Sequence, residues 1–289
     1  MRTLVMGSTG QLGVELLRTA PPNFHVIGLS HPDCDIADPA QVEAAFQSHR
    51  PELVINAAAY TAVDHAESAS DLAHAVNATG AGNVARGAES GRARLIHVST
   101  DFVFDGTSRK PYLPDSVPNP ISVYGASKLA GEKEVQRDSP RGLIIRSSWL
   151  YASHGRNFFR TILASLQAAK PLRVVSNQTG VPTSARSLAL TIWECAARSD
   201  VHGIHHWVDD GTASWYDFAV AIQETAVQLG LVGKPMPIAP VTWEEYRARA
   251  LRPSYSVLDT RSLSSSIGRQ PRPWRSWLAE VLREVDRAR

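Results

Sequence analysis

The sequence predicts an α/β fold, with a doubly wound parallel sheet in the first half of the chain and a smaller C-terminal α/β cap in the second. Two observations support this class. Short β-rich runs alternate with helical patterns up to about residue 151, an order typical of a parallel sheet with helices on both faces. The first run also leads through a glycine-rich turn directly into a helix.

The elements of the first half follow from the hydrophobic pattern of each run. Residues 2–6 form a short apolar strand, and residues 14–18 form the helix after the glycine turn. Later strands are predicted at 25–29, 53–56, 95–99 and 143–146, with helices near 39–49, 70–90 and 124–136. Because such sheets bind ligands beyond the carboxyl ends of their strands, the loops after these strands are expected to converge on one site.

The regular alternation ends near residue 151. Helices are predicted near 156–169, 184–198, 215–229 and 275–287, with short extended pieces between them. No flexible linker marks a boundary, so the two halves are expected to pack together. We therefore expect a sheet domain at 1–151 and a cap at 152–289, with 172–198 returning a strand and a helix to the main sheet.

Composition excludes several classes of protein. The chain has 289 residues, 43% of them hydrophobic, and a net charge of +2 without charged runs, which argues against nucleic-acid and membrane-surface partners. Cys34 and Cys195 are far apart and lack metal-ligand spacing, so neither a disulfide framework nor a zinc site is expected. No stretch approaches the roughly 20 apolar residues of a membrane span, and a signal peptide is not expected. We expect a cytoplasmic protein.

The first turn reads Gly-x-x-Gly-x-x-Gly, with glycines at Gly7, Gly10 and Gly13. Gly7 permits a tight turn, Gly10 lets backbone N–H groups approach a pyrophosphate, and Gly13 lets the helix pack closely on the sheet. The helix N-terminus then faces the anion. The order of strand, glycines and helix therefore predicts a dinucleotide site.

Three side chains predict the chemistry. If Tyr124 opens a helix, Lys128 lies one turn further on the same face, where its ammonium can approach both the phenol and a ribose. A nearby cation is expected to lower the pKa of a tyrosine from about 10 by roughly one to three units. Thr100, at the end of a strand, is expected to hydrogen-bond a substrate oxygen. This combination is typical of carbonyl reduction by a nicotinamide cofactor, whereas Tyr-x-x-x-Lys alone also occurs by chance.

These motifs resemble those of extended short-chain dehydrogenases, and most closely the dTDP-4-dehydrorhamnose reductase family. The resemblance rests first on GSTGQLG at 7–13, VINAAAYTAVD at 54–64, STDFVFDG at 99–106 and YGASK at 124–128. It continues through RSSWLY at 146–151, NF at 157–158, QTGVPT at 178–183, TASW at 212–215 and RP at 252–253. The similarity therefore runs almost from end to end.

The resemblance implies a Rossmann-like NAD(P)-binding domain and a substrate-binding cap. It implies reduction of the C4 ketone of a dTDP-linked 4-keto-6-deoxyhexose, with hydride from NADPH or NADH and a proton from Tyr124, while Lys128 holds the ribose and Thr100 polarises the ketone. The cofactor would contact Gly7, Thr9, Gly10, Gln11, Leu12, Gly13, Ser30, Asp35, Ile36, Asn56, Ala57, Ala58, Ala59, Asn77, Ser99, Tyr124, Lys128 and Ser148. The substrate would contact Thr100, Asp101, Phe102, Trp149, Asn157, Gln178, Thr183 and Arg252.

Some positions are open to two interpretations. Arg252 is the candidate for the diphosphate, because a guanidinium matches phosphate oxygens, although it is also compatible with a solvated surface arginine. Asn77 lies in the middle of a helical pattern. The resemblance implies a structural or proton-relay role for it, and an exposed polar position is the alternative. His97, between apolar neighbours, is interpreted as a packed core histidine rather than a proton shuttle.

The chain departs from the family pattern in two respects. Phe102 stands where members often carry tyrosine. Some members are reported to bind magnesium at a dimer contact, but only Glu15 matches a ligand, so no metal is predicted. The second strand ends at Ser30 and His31 without a carboxylate for a ribose 2′-hydroxyl, which favours NADPH and is compatible with NADH.

Other functions fit parts of the sequence. Another deoxysugar 4-ketoreductase of secondary metabolism would carry the same residues. A non-catalytic dinucleotide-binding regulatory subunit would not need Thr100, Tyr124 and Lys128. A nucleotide-sugar epimerase or dehydratase would retain tightly held NAD. A monomer and a homodimer are both compatible with the sequence.

Overall fold

The computed structural model describes residues 1–287. Within this range six parallel strands form the main sheet, and three short strand pairs lie outside it. In chain order the strands are β1 (Arg2–Met6), β2 (His25–Leu29), β3 (Leu53–Asn56), β4 (Arg94–Thr100), β5 (Leu143–Ser147), β6 (Leu150–Tyr151), β7 (Leu172–Val175), β8 (Thr179–Gly180), β9 (Thr183–Ser184), β10 (Gly203–His206), β11 (Ala213–Ser214) and β12 (Ile238–Val241).

Helices cover both faces of the main sheet and build much of the cap. A π-helical stretch at Ala75–Gly80 joins the fourth and fifth helices, and a 3₁₀ turn at Asp101–Val103 follows β4. The α-helices are α1 (Gln11–Arg18), α2 (Pro39–His49), α3 (Val63–Ala66), α4 (Ser70–His74), α5 (Ala81–Ser90), α6 (Val123–Asp138), α7 (Phe158–Gln167), α8 (Ala185–Ala196), α9 (Trp215–Gln228), α10 (Trp243–Tyr246), α11 (Arg261–Ile267) and α12 (Trp274–Arg287).

The main sheet has the strand order β10-β5-β4-β3-β1-β2, and every pair in it is parallel. The direction of winding reverses between β1 and β3, where the chain leaves β1 towards β2 and later returns to β3. Open α/β sheets bind ligands at such a reversal, beyond the carboxyl ends of the strands. The predicted doubly wound parallel sheet is confirmed.

Apolar layers pack on each face of the sheet. On one face, Leu16 of α1 and Trp193 of α8 belong to a cluster with strand residues such as Ile55 and Ile145. On the other face, Val42 of α2 and Val84 of α5 pack against further strand side chains. Full burial of one such side chain stabilises the fold by about 1.5–3 kcal/mol. Burial on both faces explains why the strands read as continuous apolar runs rather than alternating ones.

The cap has a core of its own, built from α7, α9 and α12 around Tyr151, Phe159 and Phe218. In this part β12 pairs in parallel with β7, β11 pairs antiparallel with β8, and β6 pairs in parallel with β9. The division into domains at residue 151 stays a prediction.

The segment 172–198 behaves differently from the expectation. Its helix, α8, does pack on the main sheet, where Trp193 Nε1 donates to the Leu16 carbonyl at 3.1 Å. Its strand, β7, pairs with β12 instead, and the main sheet is completed by β10 beside β5. The predicted returning strand was therefore wrong. A parallel neighbour for β5 has to follow the crossover helix, so the strand comes after α8 and not before it.

Within residues 1–287, no helix combines the length and the apolar character needed to cross a membrane.

Candidate functional site

The glycine turn after β1 is sterically closed to larger residues. Gly7 has φ +77°, and a Cβ atom there would lie 2.7 Å from the backbone of Ala58. A Cβ atom on Gly13 would lie 2.2 Å from the Gly7 carbonyl oxygen. The turn is therefore folded tightly between α1 and the loop after β3, as the positions of the two glycines predict.

A crevice of about 220 Å³ opens beside this turn, at the reversal point of the sheet. Gly10 is the residue before α1 and caps it without a side chain, so the first N–H groups of the helix are not covered by a capping oxygen. The crevice therefore suits the phosphates and adenosine of a dinucleotide. It is lined by Gly7, Thr9, Gly10, His31, Cys34, Asp35, Ile36, Ala57, Ala58, Ala59 and Val76.

Three lining residues, His31, Cys34 and Val76, were missed by sequence reasoning. His31 carried a usable signal, since it lies two residues after the end of β2. Val76 did not, because it lies in the π-helical stretch between α4 and α5, where the sequence predicts a single continuous helix.

The end of β2 also differs from its interpretation. Ser30 donates from its backbone N (2.9 Å) and its Oγ (2.5 Å) to Asp33 Oδ2, so a carboxylate does stand at this strand end. It comes from three residues further along the chain, where the turn folds it back. The expectation that no carboxylate lies here was wrong, because Asp33 lies beyond the strand in the sequence and only the turn brings it to Ser30.

The start of α6 brings Tyr124 to the end of β4. Ser122 caps the helix by accepting from the Gly125 backbone N at 3.2 Å. A Cβ atom on Gly125 would lie 2.1 Å from the Phe102 carbonyl oxygen, so the first turn of α6 lies directly against the 3₁₀ turn. The Phe102 and Tyr124 rings then meet edge to face, with centroids 5.5 Å apart.

The Tyr124 phenol is a weaker acid than expected. Burial raises its pKa to about 12, and the nearby Asp101 carboxylate also raises it, while a hydrogen bond with Thr100 lowers it only in part. Lys128 was expected to lower the pKa of Tyr124, but it is not among the groups that shift this pKa. Its ammonium is bound to the Val98 carbonyl instead. Tyr124 therefore stays protonated at neutral pH, the form that a proton donor requires.

Lys128 is buried, and its Nζ donates to the Val98 carbonyl at 2.7 Å. Burial lowers its pKa to about 8, and Glu132 on the next turn of α6 partly offsets this. The solvated position that a chance Tyr-x-x-x-Lys pattern would give is therefore excluded.

Thr100 and Asp101 complete this end of the strand. Thr100 Oγ1 donates to Asp101 Oδ1 at 3.0 Å and accepts from the Phe102 backbone N at 3.2 Å. Burial raises the pKa of Asp101 to about 7, although hydrogen bonds with Ser256 and Thr100 lower it. The structure thus brings Thr100, Asp101 and Tyr124 together.

A buried ion pair supports this edge from below. Glu132 accepts from Arg146 Nε (2.9 Å) and from its terminal nitrogen (2.7 Å), and both side chains are 2% exposed or less. Glu132 also accepts from Ser99 Oγ at 2.5 Å. Ser99, predicted to contact the cofactor, links β4 to α6 through this bond.

Trp149 lies on the cap side of the sheet edge. It holds φ +44°, a backbone conformation that non-glycine residues adopt only at a cost. Its ring stacks on Trp215 of the cap at 3.5 Å, and a Cβ atom on Gly180 would lie 2.6 Å from the indole. Strained residues of this kind cluster at functional sites.

Known proteins of similar sequence show to which family the chain belongs. The family model described as the RmlD substrate binding domain matches residues 1–287. The chain is 36% identical to the dTDP-4-dehydrorhamnose reductase of Escherichia coli, with 99% of this chain and 98% of that protein covered. The chain belongs to the dTDP-4-dehydrorhamnose reductase family.

Other known proteins are similar to the chain over its full length. The spore coat polysaccharide biosynthesis protein SpsK of Bacillus subtilis is 38% identical, over 98% of this chain and 97% of its own length. The crystal structure of dTDP-4-dehydrorhamnose reductase from Bacillus anthracis in complex with NADP has a TM-score of 0.92 and 35% identity, and covers 98% of this chain and 99% of that one.

A stretch of the cap, residues 243–252 (the cap segment), crosses to the sheet domain. Arg252 forms two hydrogen bonds to Asp64, at 3.2 and 2.8 Å, and lies over the Trp243 ring at 5.1 Å. Asp64 also accepts from the Ala250 backbone N at 3.0 Å. Arg252, the predicted diphosphate ligand of this family member, is therefore paired with a carboxylate that the sequence did not single out.

Several other predicted site residues have structural partners. Asn157 caps α7 and donates to Gln11 Oε1 at 2.7 Å, so both side chains tie the cap to α1. Asn77 clamps the backbone of Tyr60, accepting from its N at 2.8 Å and donating to its O at 3.0 Å. The exposed interpretation of Asn77 is thereby excluded.

The remaining predicted residues lie below the surface of the site. Ser148 Oγ donates to the Val181 carbonyl at 2.8 Å, and Thr183 Oγ1 donates to the same oxygen at 3.3 Å. Leu12 belongs to the core, so only its backbone faces the turn. Gln178 is buried just before β8.

Glu15 is engaged by neighbours of its own chain. It accepts from Arg18 at 3.1 Å and lies 2.8 Å from His154 Nε2. Among the described residues, no three His, Cys, Asp or Glu side chains gather closely enough to hold a metal ion.

Proposed function

We propose that this chain reduces the C4 ketone of a dTDP-linked 4-keto-6-deoxyhexose, with dTDP-4-dehydrorhamnose as the substrate and NADPH as the cofactor. The observation that carries the proposal is the gathering of Thr100, Asp101 and Tyr124 at the carboxyl end of β4, with Lys128 below them. The full-length similarity to the E. coli reductase supports this substrate class.

The protonated phenol of Tyr124 is the proton donor to the ketone oxygen. Its raised pKa keeps it in the acid form until negative charge develops on that oxygen. Thr100 holds a hydroxyl beside the same position, where a donor is most effective if it is fixed in advance. Its single proton is donated to Asp101 here, and that proton would turn to the ketone oxygen when the substrate binds.

The crevice fits a dinucleotide, because the turn at Gly7 and Gly13 has no room for side chains and leaves the start of α1 uncovered. Gly10 and the alanines after β3 would hold its phosphates and adenosine, and Lys128 its nicotinamide ribose. Bound NADPH would supply the hydride for the carbonyl carbon. NADPH is favoured by the NADP-bound relative, while Asp33 at the end of β2 also suits the 2′-hydroxyl of NADH.

On the cap side, the stacked pair of Trp149 and Trp215 offers a flat apolar wall for the sugar nucleotide. Arg252 would bind the diphosphate by exchanging its carboxylate partner, Asp64, for phosphate oxygens of the same bidentate geometry. After the exchange the guanidinium would again have an anionic partner.

A second candidate is another deoxysugar 4-ketoreductase. Phe102 favours it, because this ring lies against Tyr124 and lacks the hydroxyl that family members often carry there. A non-catalytic regulatory role is disfavoured by the complete set of Thr100, Tyr124 and Lys128. The expected cytoplasmic location and the monomeric or homodimeric state stay predictions.

The test is NADPH oxidation with a panel of dTDP-keto-sugars, followed by NMR of the product sugar. Tyr124→Phe should leave NADPH binding nearly intact and lower turnover by about a hundredfold or more, since only the acid is removed. Tyr216→Phe, at a half-buried tyrosine of the cap, is the matched control and should keep full turnover. Turnover of Tyr124→Phe equal to that of the control would contradict the mechanism.

A further inference from the structure

The ring of His97 lies between Asn56 and Lys128. Its Nδ1 is 3.2 Å from Asn56 Nδ2, and its Nε2 is 3.5 Å from Lys128 Nζ. All three side chains are buried, with 1–2% of their surface exposed. The histidine is therefore packed in the core, as predicted, but it also touches the lysine of the site.

The hydrogen-bond partners of His97 decide which of its ring nitrogens carries the proton. Asn56 Oδ1 accepts from the Ala58 backbone N at 3.2 Å, so the amide nitrogen of Asn56 faces the histidine. An amide nitrogen can only donate, which makes His97 Nδ1 the acceptor. Burial and Lys128 hold the pKa of His97 well below 6.5, so the ring is neutral and its single proton is on Nε2.

The Nε2 proton points at Lys128, which is itself a donor. On the side that faces β4, Lys128 Nζ therefore meets the N–H group of His97 and not a second acceptor. The acceptor on that side is the Val98 carbonyl oxygen. The charged group acting on Lys128 is Glu132, along the same helix, and Asp101 acts on Tyr124 rather than on the lysine. The unused protons of Nζ are consequently directed away from β4.

We propose that His97 is a positioning residue for Lys128: its fixed N–H turns the free ammonium protons towards the cofactor ribose and sets the upper pH limit of cofactor binding and reduction. The inference rests on the proposed function only for the role of Lys128. Burial already lowers the pKa of Lys128 to about 8. A further change in this pKa, caused by a substitution at His97, therefore falls within a pH range that can be measured.

The primary measurement is the dissociation constant of NADPH against pH, followed by nucleotide fluorescence without any ketone. In the wild type, affinity should fall as pH rises past about 8, because the ammonium that holds the ribose is lost. His97→Gln offers Nζ a carbonyl acceptor, and the midpoint should rise by about one unit. The alkaline limb of kcat/KM should move with it.

Asn56→Asp should also give Lys128 an acceptor, in this case on His97 itself. A carboxylate accepts from Nδ1, which moves the ring proton there and leaves Nε2 as an acceptor for Lys128. The midpoint should again rise by about one unit or more, since the added charge acts in the same direction. Only the midpoint is compared, because Asn56 borders the cofactor. This variant decides the question if His97→Gln does not fold.

His206→Gln is the matched control, since this second buried histidine lies on β10 and contacts Tyr112 and Arg146 instead of the lysine. It should leave the midpoint unchanged. Midpoints of both test variants equal to that of the wild type would overturn the proposal. If the midpoints move but no dTDP-keto-sugar is reduced, the role of His97 stands and the proposed function fails.

Discussion

The carboxyl end of β4 and the cap segment hold their polar groups in opposite ways. At β4, Thr100, Asp101, Lys128 and Glu132 are all 6% exposed or less, and each is bonded to a strand or helix. In the cap segment, the ion pair of Arg252 with Asp64 joins side chains that are 20% and 48% exposed. The first region is part of the core, whereas the second is attached to the surface of the sheet domain.

The difference separates the two tasks proposed for the site. Proton transfer requires groups held within a fraction of an ångström, which regular elements provide. Recognition of a diphosphate requires a group that can change partners when the ligand arrives, which a partly exposed pair provides. We therefore expect substitutions at β4 to alter global stability and those in the cap segment to alter local opening.

The largest effect is expected for Glu132→Gln. Arg146 would keep its charge in a buried position without a charged partner, which costs about 3–5 kcal/mol of unfolding free energy. Urea denaturation measures it. Glu134→Gln, two residues further on the same helix and in a partly exposed pair, is the control and should cost less than about 1 kcal/mol. Equal losses in both variants would remove the distinction between the two kinds of contact.

Asp101→Asn is expected to stabilise the protein increasingly as pH rises. Folding raises the pKa of Asp101 from its ordinary 3.8 to about 7, so the folded state binds this proton more tightly and loses relative stability between these values. Asparagine escapes this cost. From pH 5 to pH 8, the difference in unfolding free energy between variant and wild type should grow by about 2–3 kcal/mol. A difference that does not change with pH would contradict the raised pKa.

Asp64→Asn is expected to act locally. It weakens the contacts to Arg252 and to the Ala250 backbone, so trypsin should cleave after Arg247 or Arg249 about five- to tenfold faster, an opening easier by about 1–1.4 kcal/mol. The midpoint of global unfolding should barely move. Asp71→Asn, at an exposed position of α4, serves as the control. Slower or unchanged cleavage would show that Asp64 does not hold the segment.

Ser68→Ala should have the smallest effect. It removes the hydroxyl that accepts from Arg249 at 3.0 Å, an exposed contact. Exposed hydrogen bonds of this kind contribute about 0.5 kcal/mol, so cleavage in the same assay should rise no more than about twofold. An effect as large as that of Asp64→Asn would show that Ser68, and not Asp64 alone, holds the cap segment on the sheet domain.

Local patterns predicted much of the site because they act over short distances. The glycine turn, the Tyr124–Lys128 pair and Thr100 each lie where a strand ends or a helix begins, and the strands at 25–29 and 53–56 were placed to the residue. His31 escaped notice as a lining residue of the crevice, and Asp33 escaped notice because a turn folds it back onto Ser30. Ser99, Ser148 and Asn157 were assigned to ligands although their hydrogen bonds are made within the protein.

By itself, the sequence determined the parallel sheet, the glycine turn after its first strand and the side chains that stand where β4 ends and α6 begins, because apolar runs, glycines and helix starts are properties of neighbouring residues. Tertiary structure alone decided which strand completes the sheet, which groups surround Lys128 and which carboxylate pairs with Arg252. Those outcomes depend on contacts such as His97 with Lys128, 31 residues apart, and Asp64 with Arg252, 188 residues apart. Burial then set the pKa values, since desolvation is a property of the folded chain.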